Sequence, residues 1–235
     1  MLRFRLFGIP VGVHVTFLLI VVLGPLGSVQ SAALWVGAVF IAILLHEFGH
    51  ALTARAFGAQ GLSVTLYGLG GLTSFRPGTQ ISHGKSFLIS AAGSAVGIAA
   101  GLAVVGLGRL GVFETWPEAP VEFLEYFVWA ALVWGILNWV PIVPLDGGHM
   151  TQHLIAVFNE EKAPFFAQIV TWVAVAVIVP LAVWQGFYFG AAIVVFFAFA
   201  GFKEYRQSTQ PKADPEGEEE PLPPRDRPEP PEFPI

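Results

Sequence analysis

The sequence contains no cysteine and few charged residues, and both shortages limit what the protein can be. Without cysteine, no disulfide holds the fold and no thiol takes part in its chemistry. Only 12% of the 235 residues are Asp, Glu, Lys or Arg, while 54% are hydrophobic. A typical soluble domain carries about 25% charged residues. The composition therefore argues against a soluble protein and favours one that lies in a membrane.

Charge is missing altogether from four long stretches of the chain, which are 6–45, 86–108, 126–145 and 163–202. A helix needs about 20 apolar residues to cross a bilayer, and turn-forming residues divide the first and last stretches in two. We therefore predict an all-α polytopic membrane protein with about six transmembrane helices. The predicted spans are roughly 11–27, 31–57, 85–108, 122–140, 164–184 and 186–202. The membrane domain is predicted to cover 1–202, with its core at about 31–57, 85–108 and 122–148.

The segment after Phe202 differs in composition from everything before it. Nine of the 17 acidic residues and nine of the 18 prolines of the chain lie there. Such a segment buries too little apolar surface to offset its ordering entropy. We predict that 203–235 is a disordered, acidic, proline-rich cytoplasmic tail, with a partner-binding arm as the alternative.

Positive charge is distributed unevenly between the two sides that six spans would define. Cytoplasmic loops are enriched in Lys and Arg. One side carries Arg109 alone, and the other carries the remaining basic residues, among them Arg3, Arg5, Arg55 and Lys85. We therefore predict a multi-pass protein of the cytoplasmic membrane with both termini in the cytoplasm.

Two isolated acids lie within the apolar stretches. Glu47 is the only acidic residue in the first 113 positions, and Asp146 is the only one between positions 126 and 159. Ionisable groups inside a bilayer are costly and are functional candidates by default. Because Glu47 is flanked by His46 and His50, the pattern indicates a cation between the two acids.

The spacing of the two histidines suits a zinc ion. On a helix, His46 and His50 lie about 40° apart and one turn above the other, so both imidazoles can bind one ion. Glu47 points to the side, where it reaches a metal-bound water without binding the metal, as in H-E-x-x-H metalloproteases. The alternative, a buried histidine pair bonded to carbonyls, leaves the charge of Glu47 unexplained.

Asp146 is the candidate for a third ligand, since hydrolytic zinc keeps three protein ligands and one open position. Its carboxylate lowers the charge of the centre, and a low-dielectric interior tolerates that better than a bare dication. Pro141 and Pro144 break the helix before it. Irregular backbone at membrane depth survives only where it is packed in protein or lines a wet cavity. We predict that this segment lines the cavity that supplies water.

Two motifs together resemble a known family. They are His46-Glu47-Phe48-Gly49-His50 and the Asn-x-x-Pro-x-x-Pro-x-Asp-Gly-Gly run at 138–148. They resemble the site-2 protease family of intramembrane zinc metalloproteases, in its prokaryotic branch without a PDZ or other soluble regulatory domain. The similarity covers residues 1 to about 202 and includes the pair Gly70-Gly71. The chain departs from it at Ala92-Gly93-Ser94, where many relatives have Ala-Gly-Pro.

The resemblance implies a set of roles and partners. It implies that one zinc ion is bound by His46, His50 and Asp146. It implies that Glu47 is the general base and that Asn138 steadies the substrate or the oxyanion. The implied activity is hydrolysis of peptide bonds within or near transmembrane segments of membrane proteins. Substrates already cut by another protease and a regulatory membrane partner are further expectations, whereas nucleic acid is not expected.

A transmembrane helix hides its peptide bonds, so a substrate must unwind before it is cut. Residues 62–67 alternate apolar and polar side chains as a strand does. We predict a small membrane-associated hairpin or sheet near the active site that pairs with extended substrate, with an amphipathic loop as the alternative. For Asn138 the alternative is a helix-ending polar residue that satisfies backbone freed near Pro141.

The remaining histidines give weaker signals. His149 and His153 form either a second metal pair or, as we favour, a polar face near the membrane surface. No role is predicted for His14 or His83.

Two other functions fit the ligand set. A metal-binding transporter is expected to show internal repeats, and none is evident here. An inactive scaffold relative is disfavoured by the retained Glu47.

Overall fold

A computed structural model describes residues 1–25, 27–68, 70–76 and 81–209. Within these residues the chain forms six α-helices, four β-strands and one long 3₁₀ helix. The helices are α1 (Val29–Ala56), α2 (His83–Arg109), α3 (Glu118–Asn138), α4 (Asp146–Ala156), α5 (Ala163–Trp184) and α6 (Tyr188–Thr209). The strands are β1 (Leu2–Leu6), β2 (Ile9–Val13), β3 (Gln60–Tyr67) and β4 (Gly70–Arg76). The 3₁₀ helix covers Val15–Leu23.

In the described part of the chain, five helices have the length and apolarity needed to cross a membrane, namely α1, α2, α3, α5 and α6. They match five of the six predicted spans, so the prediction of a mainly helical polytopic membrane protein is confirmed. Helix α6 continues to Thr209, past residue 202, where we expected the disordered tail to begin. Residues 210–235, the rest of that predicted tail, lie outside the described residues.

The first predicted span, 11–27, is wrong as a transmembrane α-helix. Its start belongs to β2, and the 3₁₀ helix that follows is about 18 Å long, against about 30 Å for a bilayer core. The 3₁₀ helix lies along α1 in the opposite direction. The Trp35 indole of α1 donates a hydrogen bond of 2.9 Å to the Ile20 carbonyl, and the ring centroids of Phe17 and Phe40 are 5.9 Å apart. Hydropathy detects the apolar run but not this backbone conformation.

The four strands form one sheet in the order β1-β2-β3-β4. Strands β2 and β3 are parallel, and the other two pairs are antiparallel. Ile9, Val11, Val64 and Leu66 are buried in the same core cluster as the apolar face of α1. The predicted hairpin is present as β3 and β4, and it is half of a larger sheet because β1 and β2 extend it.

Helices α1, α2 and α3 approach one another closely through small residues. A Cβ at position 49 of α1 would lie 2.6 Å from the Ala92 carbonyl oxygen of α2. A Cβ at position 135 of α3 would lie 3.3 Å from the Ser94 carbonyl oxygen. Small residues let helix backbones meet in this way inside a membrane. The contact brings the histidine motif of α1 directly against α2.

The chain leaves helical conformation between α3 and α4, as Pro141 and Pro144 predict. Helix α3 ends at Asn138 and α4 begins at Asp146, so the core span that we placed at 122–148 is not one continuous helix. The Val143 amide donates a hydrogen bond of 3.1 Å to the Thr171 hydroxyl of α5. Any Cβ at Gly147 or Gly148 would overlap the backbone of 139–143. The segment is therefore folded tightly onto the start of α4.

Candidate metal centre

The two histidines of α1 face each other across one helical turn. Their Nε2 atoms are 3.1 Å apart, and His46 and His50 are only 4% and 8% exposed. The His50 Nδ1 atom lies 2.7 Å from the Ile89 carbonyl oxygen of α2. A carbonyl only accepts, so Nδ1 carries the proton and donates it there. That tautomer leaves the His50 Nε2 atom with a lone pair on the side of His46.

Asp146, at the start of α4, completes a triangle with the two imidazoles. Its Oδ2 atom lies 3.1 Å from the His46 Nε2 atom and 3.2 Å from the His50 Nε2 atom. Among the described residues, this is the one group of three His, Asp or Glu side chains gathered closely enough to hold a metal ion. The structure thus brings together all three residues predicted as ligands.

The triangle has the dimensions of a metal site. Zinc bonds of about 2.0–2.1 Å in a tetrahedron put neighbouring ligand atoms about 3.3 Å apart, close to the 3.1 Å and 3.2 Å observed. The contact between His50 and the Ile89 carbonyl is the kind that fixes the tautomer of a ligating imidazole. The buried Nδ1 of His46 has no such partner among the described residues. Two imidazoles and one carboxylate therefore fit a divalent transition metal.

Glu47 lies beside this triangle without belonging to it. Its Oε2 atom accepts a hydrogen bond of 2.7 Å from the Thr73 hydroxyl of β4. Its side chain packs against Gly71, where any Cβ would overlap it. Glu47 is 4% exposed and lines the same cavity as the three candidate ligands. The sheet therefore holds the carboxylate next to the site, where it can accept a proton from a molecule in the cavity.

The cavity has a volume of about 600 Å³ and extends from the triangle to the protein surface. The irregular segment before α4 contributes Pro144 and Leu145 to its wall, and β4 contributes Gly70, Gly71, Leu72 and Thr73. The predicted association of the broken helix with a cavity at the acidic residue is thus present in the structure. A peptide chain laid along β4 would pass beside both Glu47 and the candidate ligands.

Asn138 lines the cavity, but its side-chain amide is engaged by the backbone. The Nδ2 atom donates a hydrogen bond of 3.0 Å to the Trp134 carbonyl one turn earlier in α3. This contact is the one expected of a polar residue that satisfies the end of a helix. The position of Asn138 in the cavity agrees with a role in binding substrate. Its hydrogen bond to Trp134 agrees with the alternative, a polar residue that ends the helix. The catalytic assignment of Asn138 therefore stays a prediction.

Sequence reasoning missed the residues that position the candidate ligands. The Thr73 hydroxyl donates to Glu47, and the Ser94 hydroxyl donates a long bond of 3.4 Å to the Asp146 Oδ2 atom. Gly93 leaves the space that the His50 ring occupies. All three contacts join different elements, so no local spacing reveals them. Of these three residues, only Ser94 carried a signal in the sequence, which is a hydroxyl group in an otherwise apolar helix.

We expect Gly93→Ala to disrupt the metal centre although it adds only a methyl group. The new Cβ would overlap the Nε2 end of the His50 ring, so the imidazole must turn away from His46 and Asp146. The affinity for Zn²⁺, measured by titration of the purified protein, is expected to fall by at least about tenfold.

Gly97→Ala is the matched control for this substitution. It lies one turn further along α2, where the new Cβ would meet the Ala131 carbonyl oxygen at an ordinary 3.6 Å. We expect this variant to bind Zn²⁺ like the unaltered chain. Equal affinities for the two variants would contradict the proposed dependence of His50 on the space at position 93.

Comparison with known proteins identifies related sequences. A family model described as Peptidase family M50 matches residues 113–181. The matched region contains α3, the irregular segment, α4 and most of α5. It therefore includes Asp146 and Asn138 but not the histidines of α1.

Two curated relatives are each named as a "Putative zinc metalloprotease". One, sll0528 of Synechocystis, is 29% identical over 193 residues, which cover 73% of this chain and 50% of the relative. The other, Rip3 of Mycobacterium tuberculosis, is 30% identical over 167 residues, which cover 63% of this chain and 42% of the relative. The chain thus spans about half the length of the curated relatives it matches, or less.

A solved structure has the same fold. The chain is similar to the site-2 protease from Methanocaldococcus jannaschii, with a TM-score of 0.61 and 21% sequence identity. The match covers 91% of this chain and 97% of that one. The fold, the family match around Asp146 and the related sequences agree with the resemblance read from the two motifs. The chain is similar to peptidase family M50 in the sequence around Asp146 and to a site-2 protease in its fold, as the two motifs indicate.

Proposed function

We propose that the chain is a zinc endopeptidase that hydrolyses peptide bonds within or near transmembrane segments of other membrane proteins. The observation that carries this proposal is the convergence of His46, His50 and Asp146 to within 3.1–3.2 Å of one another, beside Glu47, in a bundle of membrane-length helices. The names of the relatives, which describe them as zinc metalloproteases, support the choice of metal.

The residues divide the chemistry between them. His46, His50 and Asp146 would hold a Zn²⁺ ion, which would supply Lewis-acid activation of water and of the scissile carbonyl. The Glu47 carboxylate accepts the proton of the attacking water and later delivers it to the leaving amide nitrogen. The Thr73 hydroxyl keeps Glu47 oriented during both transfers. Asn138 donates from Nδ2 to the substrate or the developing oxyanion, which requires its bond to Trp134 to be exchanged.

The sheet provides a means to hold an unwound substrate. Strand β4 is the last strand in the sheet order, so one of its edges has no partner strand among the described residues. Glycines and Thr73 of β4 line the cavity beside Glu47. An extended segment that adds to this edge gains main-chain hydrogen bonds. That gain offsets the loss of the helical hydrogen bonds that protect a transmembrane peptide bond.

We also propose that both termini lie in the cytoplasm. Strand β1 belongs to the sheet that follows the end of α1, and Glu204 near the end of α6 lines the same cavity as Ser86 near the start of α2. Both described ends are therefore on the sheet side, where the basic residues of the described part of the chain other than Arg109 also lie. The excess of Lys and Arg supports a cytoplasmic assignment for that side. The cavity would then open toward the cytoplasm, where precut substrates or a regulatory membrane partner would meet it.

Metal removal tests the proposed activity. The purified full chain, reconstituted in liposomes with a single-span membrane substrate, is expected to lose cleavage when a zinc chelator removes the metal. Stoichiometric Zn²⁺ is expected to restore cleavage, whereas Mg²⁺ is not, because Mg²⁺ prefers oxygen ligands to imidazole. Cleavage that continued in the metal-free protein would refute the zinc mechanism. A metal-loaded chain that cut no membrane substrate would favour a transporter or a scaffold.

A further inference from the structure

A second group of histidines lies at the outer end of the same cavity. His149 and His153 of α4 line the cavity together with the exposed Glu204 of α6, and these three residues define the cavity mouth. The ring of His83, at the start of α2, lies against that of His153 with centroids 6.1 Å apart and an interplanar angle of 32°. The His83 Nε2 atom is 3.6 Å from the Glu160 Oε2 atom. Three imidazoles and the Glu160 carboxylate thus lie near one another outside the metal centre described above, and Glu204 lines the same cavity.

The spacing of the α4 histidines repeats that of the metal centre. His149 and His153 are four residues apart on one helix, as are His46 and His50, whose Nε2 atoms approach to 3.1 Å. The same helical geometry allows the α4 pair to bind one ion. The His83 ring lies farther from its neighbour than the rings of the first centre do. The His83 and His153 centroids are 6.1 Å apart, whereas those of His46 and His50 are 4.7 Å apart. A side-chain rotation is therefore needed, and binding must be weaker than at the first centre.

The protonation state at the cavity mouth favours metal binding. Burial, together with the neighbouring imidazoles of His149 and His83, lowers the pKa of His153 to about 4. The ring is therefore uncharged at neutral pH, and its lone pair is available without the release of a proton. The nearby Glu160 and Glu204 favour a cation over an anion in this place. A solvated polar face, which the sequence suggested, does not account for the ring contact between His83 and His153, which joins two different helices.

We propose that His83, His149 and His153 form a second, weaker binding site for a divalent transition-metal ion at the cavity mouth. The ligand set is the imidazole-rich kind that suits Zn²⁺, Cu²⁺ or Ni²⁺, with Glu160 beside the site. An ion held there lies on the route between the surface and Glu47. It therefore narrows the access of substrate to the metal centre when the free metal concentration is high.

Zinc binding to the purified, metal-free full chain tests the site. The unaltered chain is expected to bind two Zn²⁺ ions of different affinity. His83→Ala and His153→Ala, on two different helices, are each expected to keep the tight ion and weaken the second by at least about 10- to 100-fold. Asp146→Asn is expected to lose the tight ion and keep the weak one. Retention of the tight ion in the two histidine variants also reports that they are folded.

His14→Ala is the matched control, since it removes a histidine that binds Thr16 near β2, away from the cavity. This variant is expected to bind both ions. Saturation of the unaltered chain at one Zn²⁺, or an unchanged second ion in both His83→Ala and His153→Ala, would overturn the proposal.

The role in access rests on the proposed protease function and has its own measurement. Excess Zn²⁺ is expected to inhibit cleavage by the unaltered chain, and His153→Ala is expected to relieve that inhibition. Inhibition that persisted in a variant shown to lack the second ion would overturn the access role and leave the binding site standing. Zinc binding is measured without substrate, so it tests the second site even if the chain has no protease activity.

Discussion

Glu47→Gln is expected to lower the rate of peptide hydrolysis by roughly 10²- to 10⁴-fold, the usual contribution of general acid–base catalysis. The substitution keeps the size and shape of the side chain, and its amide can still bond the Thr73 hydroxyl and pack against Gly71. What it removes is the carboxylate that, in the proposed mechanism, accepts the proton of water and returns it to the leaving nitrogen. The cleavage rate of a membrane substrate in liposomes measures the effect.

Zinc content separates this loss from damage to the metal centre. Glu47 lies beside the triangle of His46, His50 and Asp146, so Glu47→Gln is expected to bind Zn²⁺ like the unaltered chain. Glu118→Gln is the matched control, because it makes the same chemical change in the first turn of α3, away from the cavity. It is expected to leave cleavage unchanged. A Glu47→Gln protein that cut at the unaltered rate would remove this carboxylate from the mechanism.

The local part of the site was predictable from the sequence because helical geometry alone determines it. Four positions on a helix bring two side chains to the same face, so His46 and His50 could be paired before any fold was known. Asp146 could be proposed only from its isolation among apolar residues and from the number of ligands that zinc needs. The distance from Asp146 to the histidines depends on how α2, α3 and α4 pack together, and the local sequence does not predict that packing.

The errors of prediction arose where backbone conformation depends on partners distant in sequence. The stretch 11–27 is apolar enough to cross a membrane, but its first residues pair with β3 and the rest follows α1 as a 3₁₀ helix. In the same way, Thr73, the Ile89 carbonyl and the space at Gly93 gain meaning only when β4 and α2 lie against α1. Sequence reasoning therefore named the side chains that converge at the candidate site and missed the groups that orient them.

Asp146→Asn is expected to produce the opposite signature to Glu47→Gln, which is loss of the metal from a folded protein. A neutral amide is a poorer ligand than a carboxylate, and the charge of the centre would rise by one unit in a low-dielectric interior. Loss of an outer partner of a ligand costs about 10- to 100-fold in metal affinity, so loss of the ligand itself is expected to cost at least about 100-fold. Cleavage should fall with zinc occupancy.

The surroundings of Asp146 make this substitution a clean test. The tight turn before α4 depends on Gly147, Gly148 and the Val143–Thr171 hydrogen bond rather than on the carboxylate. Thermal unfolding of Asp146→Asn should therefore match that of the metal-free unaltered chain. Ser94→Ala is the graded control, because it removes only a 3.4 Å hydrogen bond to the same oxygen and is expected to weaken zinc by about tenfold or less. If Asp146→Asn bound Zn²⁺ with the affinity of the unaltered chain, Asp146 would not be the third ligand. The proposed hydrolytic centre would then need a different residue in that position.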